Sequence, residues 1–186
     1  MNAPMTASER PEAALPEPFL SPPAHPCPPG FTSHCFETRF RIGASAERVW
    51  AWLEDPRTFV DGQVWPFRVE FLSTEPGVAP GFSVGGLNIH HGPLLCLAGQ
   101  LTEIEEGAYR SLHYLYGSHV LSLRFVRPTR LEFWVDAAEN DSTEVRLRLE
   151  SHVRGGCERI WTRLQSLFWG RFPRFMSRGI GATILG

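Results

Sequence analysis

The chain has 186 residues, of which 42% are hydrophobic, and a formal net charge of −2. This length and apolar content suffice for the core of one domain, and the near-neutral charge excludes a basic field over the whole protein as a means of binding nucleic acid. No apolar run approaches the roughly eighteen residues of a membrane span. The four cysteines show no Cys-x-x-Cys spacing and no export signal is recognised at the start, so we expect reduced thiols in a cytoplasmic protein.

The first thirty residues differ in composition from the rest of the chain. They contain nine of the sixteen prolines and few large apolar side chains. Such a segment cannot bury enough surface to offset its ordering entropy. The sequence therefore predicts a disordered tail over residues 1–30 and one ligand-binding domain over residues 31–186.

The domain opens with the pattern of a strand followed by a helix. In residues 35–43, Phe36, Phe40 and Ile42 alternate with charged residues, which is typical of a half-buried strand. Ser45 is the predicted N-cap of the helix that follows. The dipeptide at 55–56, Asp-Pro, predicts its end, because proline disfavours the helical conformation of the residue before it.

The middle of the chain predicts an antiparallel meander. Six segments have strand character and are separated by glycine, proline and asparagine turn signals: residues 67–71, 82–91, 94–105, 109–116, 130–137 and 143–153. The connections are short, whereas parallel strands would need long crossovers. Neighbours in the sequence should therefore be neighbours in the sheet.

Residues 158–176 predict a long amphipathic helix. Its apolar side chains fall on one half of the helix: Trp161, Leu164, Leu167, Phe168, Phe172, Phe175 and Met176. Gly170 and Pro173 predict a kink, and we expect the entrance of a pocket there. Arg171 projects into the apolar arc, so it must be paired, extend to solvent or meet an acid group of a ligand. The arginines of this helix also make peripheral contact with anionic lipid headgroups a possible role, against the simpler interpretation of a solvated face.

The order of these elements resembles the helix-grip fold of the StAR-related lipid-transfer and polyketide cyclase/dehydrase superfamily (SRPBCC), which includes the pollen-allergen-like plant proteins. Two segments carry the resemblance: IGASAERVWAWLEDPRTF at 42–59 and GGCERIWTRLQSLFWGRF at 155–172. It covers about residues 35–180, although the segment at 117–134 is longer and more apolar than the turn expected there. The resemblance implies an α+β fold in which a curved antiparallel sheet of about seven strands surrounds a long C-terminal helix. Two short helices should follow the first strand.

The fold implies a cavity between the sheet and the last helix. We predict that the following residues line it: Trp65, Phe71, Ile89, His91, Tyr114, Tyr116, Phe133, Leu147, Leu164, Phe168, Arg171 and Phe172. For the aromatic members, simple packing in the core is the alternative. No motif in the sequence indicates a cofactor.

Two candidates for proton transfer are His91 and Tyr114. Adjacent residues of a strand point to opposite faces, so His90 and His91 cannot easily bind one ion, and we predict no metal site. His91 shares a face with Leu87 and Ile89, which makes it the inward histidine. A bulge at the glycine pair 85–86 would reverse that choice.

Three functions remain open from the sequence. The first is a binding protein for a hydrophobic small molecule, such as a lipid, a quinone or a polyketide-like compound. The second is an enzyme of the polyketide cyclase/dehydratase type, in which a pocket histidine or tyrosine moves protons while the cavity holds the substrate folded. The third is a protein-interaction module that uses the 117–134 segment or the basic helix. The fold does not choose among them, so whether the protein is an enzyme stays open.

Overall fold

The computed structural model describes residues 25–62, 67–73 and 77–185, apart from the side chains of Tyr116 and His119. Its strands are β1 (Phe31–Ile42), β2 (Arg68–Leu72), β3 (Leu87–Gly92), β4 (Leu95–Glu105), β5 (Tyr109–His119), β6 (Val126–Ala138), β7 (Ser142–Arg154) and β8 (Ile184–Leu185). Its helices are α1 (Ala46–Glu54), α2 (Pro56–Asp61), α3 (Glu158–Trp169) and α4 (Phe172–Ile180). Most of the predicted tail, residues 1–24, and Trp65 lie outside the described residues. Within residues 25–30, His25 donates from Nε2 to the carbonyl oxygen of Tyr114 (2.7 Å).

The strands form one antiparallel sheet in the order β2-β3-β4-β5-β6-β7-β1-β8. Strands β2 to β7 are each beside the next one in the chain, which confirms the predicted meander. The register shifts at Ala98/Gly99 and at Leu101/Glu103, between β4 and β5, and such bulges bend a sheet. The last strand was not predicted, because its two residues pair with Arg41 and Ile42 through the backbone and show no side-chain alternation.

One face of the sheet, which we call the inner face, is covered by helices. Helix α1 contacts β6 and β7, and α3 and α4 contact β1. In β7 the predicted alternation is present: Val145, Leu147 and Leu149 are buried on the inner face, and the arginines between them face the other side. Trp161 of α3 and Met176 of α4 are fully buried against this layer and fix the two C-terminal helices to it.

Helix α1 begins and ends as predicted, and a second short helix, α2, follows it as the resemblance implies. The Ser45 side chain accepts a hydrogen bond from the backbone N–H of Arg48, which satisfies one of the donors that a helix start leaves unpaired. Asp55 ends α1 and at the same time caps α2, since its carboxylate accepts from the backbone N–H of Arg57 (2.9 Å). Pro56 then occupies the first turn of α2, where its missing N–H is not needed.

The predicted long C-terminal helix is present and is broken in its middle. The helix divides at Gly170 and Arg171 into α3 and α4. The backbone N–H of Gly170 still bonds to the Ser166 carbonyl, but Pro173 has no N–H with which to continue the ladder, so a new helix begins. The interruption lies where the kink was predicted. Within the described part of the chain, no helix is long and apolar enough to cross a membrane.

Candidate functional site

Two partly open cavities of about 60 Å³ each lie between the inner face and the C-terminal helices. The first, here the Tyr114 cavity, is lined by Leu95, Leu97, Tyr114, Pro128, Leu149, Trp161, Gln165 and Phe168. The second, here the Arg110 cavity, is lined by Phe59, Phe82, Asn88, Leu101, Arg110, Leu112, Phe133 and Phe172. His90, Leu131 and Trp169 line both cavities and therefore form the wall between them.

Trp169 is the largest of these three separating side chains. Its indole Nε1 donates to Oε1 of Gln165 (3.0 Å), one turn earlier in α3. Its ring packs against those of Phe133, Phe168 and Phe172. Each cavity alone has room for a few water molecules, whereas pockets for drug-sized ligands measure roughly 300–1,000 Å³. A larger ligand would need the two cavities to join, which requires the indole of Trp169 to move.

Arg110 is a functional candidate that the sequence analysis missed. It lies on β5 and is buried, with its guanidinium carbon 4.1 Å from the centroid of the Phe82 ring, 4.9 Å from that of Phe133 and 5.5 Å from that of Phe59. One guanidinium nitrogen donates to the carbonyl oxygen of Leu53, at the end of α1. Burial lowers the pKa of Arg110 to about 9, against the raising effect of the Glu54 charge, so the group is cationic at neutral pH.

The signal for Arg110 was present in the sequence. The same two-residue alternation that puts Leu112 and Tyr114 on the inner face also puts Arg110 there. Arginine side chains are mostly exposed in proteins, so the residue type favours a position in solvent, whereas the alternation favours the inner face. Among residues 25–62, 67–73 and 77–185, no carboxylate forms an ion pair with this guanidinium.

On β3 the prediction of the inward histidine is wrong. His90, not His91, faces the interior and lines both cavities. His91 lies on the outer face, where its Nε2 is 3.4 Å from a carboxylate oxygen of Glu70. Ile89 shares this outer face, so its prediction as a lining residue is wrong for the same reason. The prediction assumed that the more apolar side of the strand faces inward.

The inner side of β3 is polar and borders the Arg110 cavity. It carries Asn88, which is 4% exposed, and the cavity-lining His90. Phe71 of β2 pairs with Asn88 and lies on the same inner side, where its ring is 4.7 Å from that of Phe82. Phe71 thus supports the wall of the Arg110 cavity from behind. The Oδ1 atom of Asn88 is buried and has no hydrogen-bond partner in the part of the chain that the structure describes.

The structure brings four of the predicted residues to the cavities. Tyr114 and Phe168 line the Tyr114 cavity, and Phe133 and Phe172 line the Arg110 cavity. Burial raises the pKa of the Tyr114 phenol well above its usual value. At neutral pH this side chain is therefore a neutral hydroxyl, which can donate a hydrogen bond but cannot act as a base.

Three other predicted residues do not line either cavity. Leu147 is fully buried in the core, and Leu164 is half-buried on α3. Arg171 is exposed, and its guanidinium donates to the Leu167 carbonyl (2.8 Å), so it is not inside the apolar arc. The helical phase that predicted its position ends with α3 at Trp169. Trp65 and the side chain of Tyr116 lie outside the described residues.

A further polar cluster lies on the outer face of the sheet. Glu132 is buried there, where it accepts from the Tyr109 hydroxyl (2.7 Å) and pairs with Arg130 (3.1 Å). Burial and the Glu132 carboxylate raise the pKa of Tyr109 to about 12. This network ties β5 to β6. Among the described residues, no group of three or more His, Cys, Asp or Glu side chains is placed to hold a metal ion.

Acidification below about pH 6.5 is expected to lower the free energy of unfolding, because burial lowers the pKa of three half-buried histidines, His34, His113 and His152. The unfolded chain, with ordinary histidine pKa values near 6.5, binds more protons in this range, so protonation favours unfolding. The contribution of these histidines to the free energy of unfolding is present above about pH 6.5, and it is lost as the pH falls towards their lower pKa values in the folded state. Urea unfolding between pH 7.5 and 5.5 measures the slope. Replacing all three residues by asparagine should flatten it, and an unchanged slope in that variant would contradict the assignment.

Comparison with known proteins places the fold. No protein-family model matches the chain, and no curated protein matches it. Among solved structures, a START superfamily protein from Mycobacterium smegmatis matches with a TM-score of 0.61 at 12% identity, over 80% of this chain and 97% of that one. Norcoclaurine synthase from Thalictrum flavum, in complex with dopamine and hydroxybenzaldehyde, matches with a TM-score of 0.58 at 13% identity, over 80% of this chain and 87% of that one. An aromatase/cyclase from Streptomyces matches with a TM-score of 0.50 at 15% identity, over 67% of this chain and 71% of that one. These likenesses confirm the predicted helix-grip fold. At such identities they show the fold alone.

Proposed function

We propose that this protein binds a small hydrophobic molecule between the inner face of the sheet and helices α3 and α4. The observation that carries the proposal is the pair of mainly apolar cavities at this position, which share the lining residues His90, Leu131 and Trp169. Ligand sites are concave and apolar, with a few polar groups that fix orientation. The norcoclaurine synthase of the same fold holds two small aromatic molecules, which supports an aromatic or similarly flat ligand here.

The proposed entrance lies at the break between α3 and α4. Phe168 lines the Tyr114 cavity and is 47% exposed, so the cavity comes close to solvent at this point. Trp169 follows directly, and beyond it the helical hydrogen-bond ladder is interrupted. A local movement at residues 168–171 would open the cavity and displace its dividing wall together.

Native mass spectrometry of the protein purified from its own host tests the proposal. A retained small molecule of defined mass is the expected result. A ligand-free protein that also fails to bind the uncharged fluorescent probe N-phenyl-1-naphthylamine would contradict it. The probe makes the second measurement independent of the natural ligand's identity.

The variant Leu131→Phe is expected to weaken binding of N-phenyl-1-naphthylamine at least tenfold. Leu131 lines both cavities, so the added ring fills space on either side of the wall. Such overpacking costs about 1–3 kcal/mol of stability, and circular dichroism must show that the variant folds. The matched control is Leu167→Phe on the exposed side of α3, which should bind the probe as the wild type does. Equal affinity in the Leu131 variant and the control would mean that the probe binds elsewhere.

An enzyme of the aromatase/cyclase type is the second candidate. It is favoured by the convergence of polar side chains, since a carrier needs little beyond apolar walls: Asn88, His90, Arg110 and Tyr114 all reach the cavities. In this alternative, His90 replaces His91 as the histidine that moves protons, and the Tyr114 hydroxyl acts as a donor. A molecule identified by mass spectrometry would supply the substrate for a turnover assay.

Peripheral membrane contact and protein interaction stay proposals. On α3, the exposed Arg159 and Arg163 stand beside the exposed apolar side chains of Ile160 and Leu167, a combination that suits an anionic lipid surface. The apolar segment 117–134 forms the end of β5, a connection with the exposed Phe125, and the start of β6. We also propose a cytoplasmic location, which the four free thiols support.

A further inference from the structure

We infer that the ligand carries a carboxylate and that Arg110 binds it. The inference rests on the proposed function and names the chemical class of the ligand. The Arg110 guanidinium and the Asn88 amide line the same cavity, and aromatic rings form most of the remaining wall. The expected ligand is therefore a flat apolar molecule with an acid group at one end.

A buried guanidinium needs more than its protein neighbours provide. The group has five N–H donors in a planar fork, and the structure shows one hydrogen bond from it within the described residues, to the Leu53 carbonyl. The rings of Phe59, Phe82 and Phe133 attract the cation with their faces, which offsets part of its desolvation. Rings cannot accept the remaining in-plane hydrogen bonds. A carboxylate can, through two parallel bonds to the fork.

A purely structural role explains only part of this arrangement. The bond to Leu53 lets Arg110 cap the carbonyl end of α1, which favours a cation. If Arg110 acted only as a cap, it would need neither a cavity beside its guanidinium nor an acceptor without a hydrogen-bond partner in that cavity. The buried Oδ1 of Asn88 is such an acceptor, and within the described chain it has no donor. A ligand with a hydroxyl or N–H close to its carboxylate would satisfy both side chains.

The test compares two probes of nearly the same shape, 2-naphthoate and 2-naphthamide, by isothermal titration calorimetry at pH 7.5. Only the acid is charged, and the amide carries an NH2 donor in place of one carboxylate oxygen. The wild type is expected to bind the acid at least tenfold more tightly than the amide. Equal affinities for both probes would overturn the carboxylate inference and leave the proposed function intact. Binding of neither probe would overturn the carboxylate inference, and it would overturn the proposed function as well if the protein also lacked a retained ligand and failed to bind N-phenyl-1-naphthylamine.

Variants then locate the charge preference. Arg110→Gln should bring the ratio of the two affinities close to one, whereas Arg154→Gln, an exposed control at the end of β7, should preserve it. Because Arg110 also holds α1, a second variant avoids its removal: Asn88→Asp places a carboxylate in the cavity and should reduce binding of the acid at least fivefold while sparing the amide. A ratio that survives both cavity variants would assign the acid group to another site.

Discussion

Replacement of Trp161 by alanine is expected to lower the free energy of unfolding by about 3–5 kcal/mol. Trp161 is fully buried and connects α3 to the hydrophobic layer of the sheet. It also lines the Tyr114 cavity, so an empty space already adjoins the volume that the substitution would vacate. Since cost rises with the size of the cavity that remains, the loss should fall near the upper end of this range.

Chemical denaturation at pH 7.5 measures the change, with the midpoint shifting and the slope retained if only stability is affected. The matched control is the preceding residue: Ile160 is 54% exposed, and Ile160→Ala should change stability by less than about 1 kcal/mol. Comparable losses at both positions would show that the phase of α3 against the sheet is not the one described here.

The phase of α3 shows how well side-chain periodicity predicts this fold. Trp161 and Met176 belong to the apolar stripe of the sequence, and both are fully buried. In β7, strict alternation likewise identified the core-facing residues. Buried positions recur with the period of the helix or strand and require apolar side chains, so the apolar residues of the sequence repeat with that period. Strand β8 shows no such period, because two residues pair through backbone atoms alone.

The site was harder to predict than the fold because its residues violate the period that reveals the fold. On β3 the cavity side carries Asn88 and His90, and the apolar side of that strand, with Ile89, faces outward. Arg110 likewise lies in the interior, although arginine is usually a surface residue. Functional polar groups in a core are locally unfavourable, so patterns of hydrophobicity assign them to the wrong face.

A second error came from extending a helical period too far. The period of α3 predicts Arg171 in the apolar arc, although α3 ends at Trp169. Position along a helix is a running sum of rotations, so a break in the helix can shift the residues that follow it, as it does for Arg171 but not for the buried Met176. Phe172 reaches the Arg110 cavity nonetheless, because α4 begins with its own phase at that residue.

Replacement of Trp169 by alanine is expected to strengthen the binding of N-phenyl-1-naphthylamine at least tenfold. The indole is the largest side chain of the wall between the Tyr114 and Arg110 cavities, and its removal adds the volume that it fills to the space of both cavities, which is what the three-ring probe needs. Half-burial of Trp169 and loss of its bond to Gln165 predict a cost of about 1–3 kcal/mol in stability.

The two effects can be measured together, because a ligand that binds only the folded state restores stability as its concentration rises. At a hundred times its dissociation constant the probe should return about 2.7 kcal/mol, which is comparable to the whole loss. Thermal unfolding of Trp169→Ala with and without probe checks this, and Leu167→Ala, on the exposed side of α3, is the control. A lower affinity in the Trp169 variant would mean that the indole forms part of the binding surface instead of its partition. The probe would then bind against Trp169, and the wall between the two cavities would stay in place.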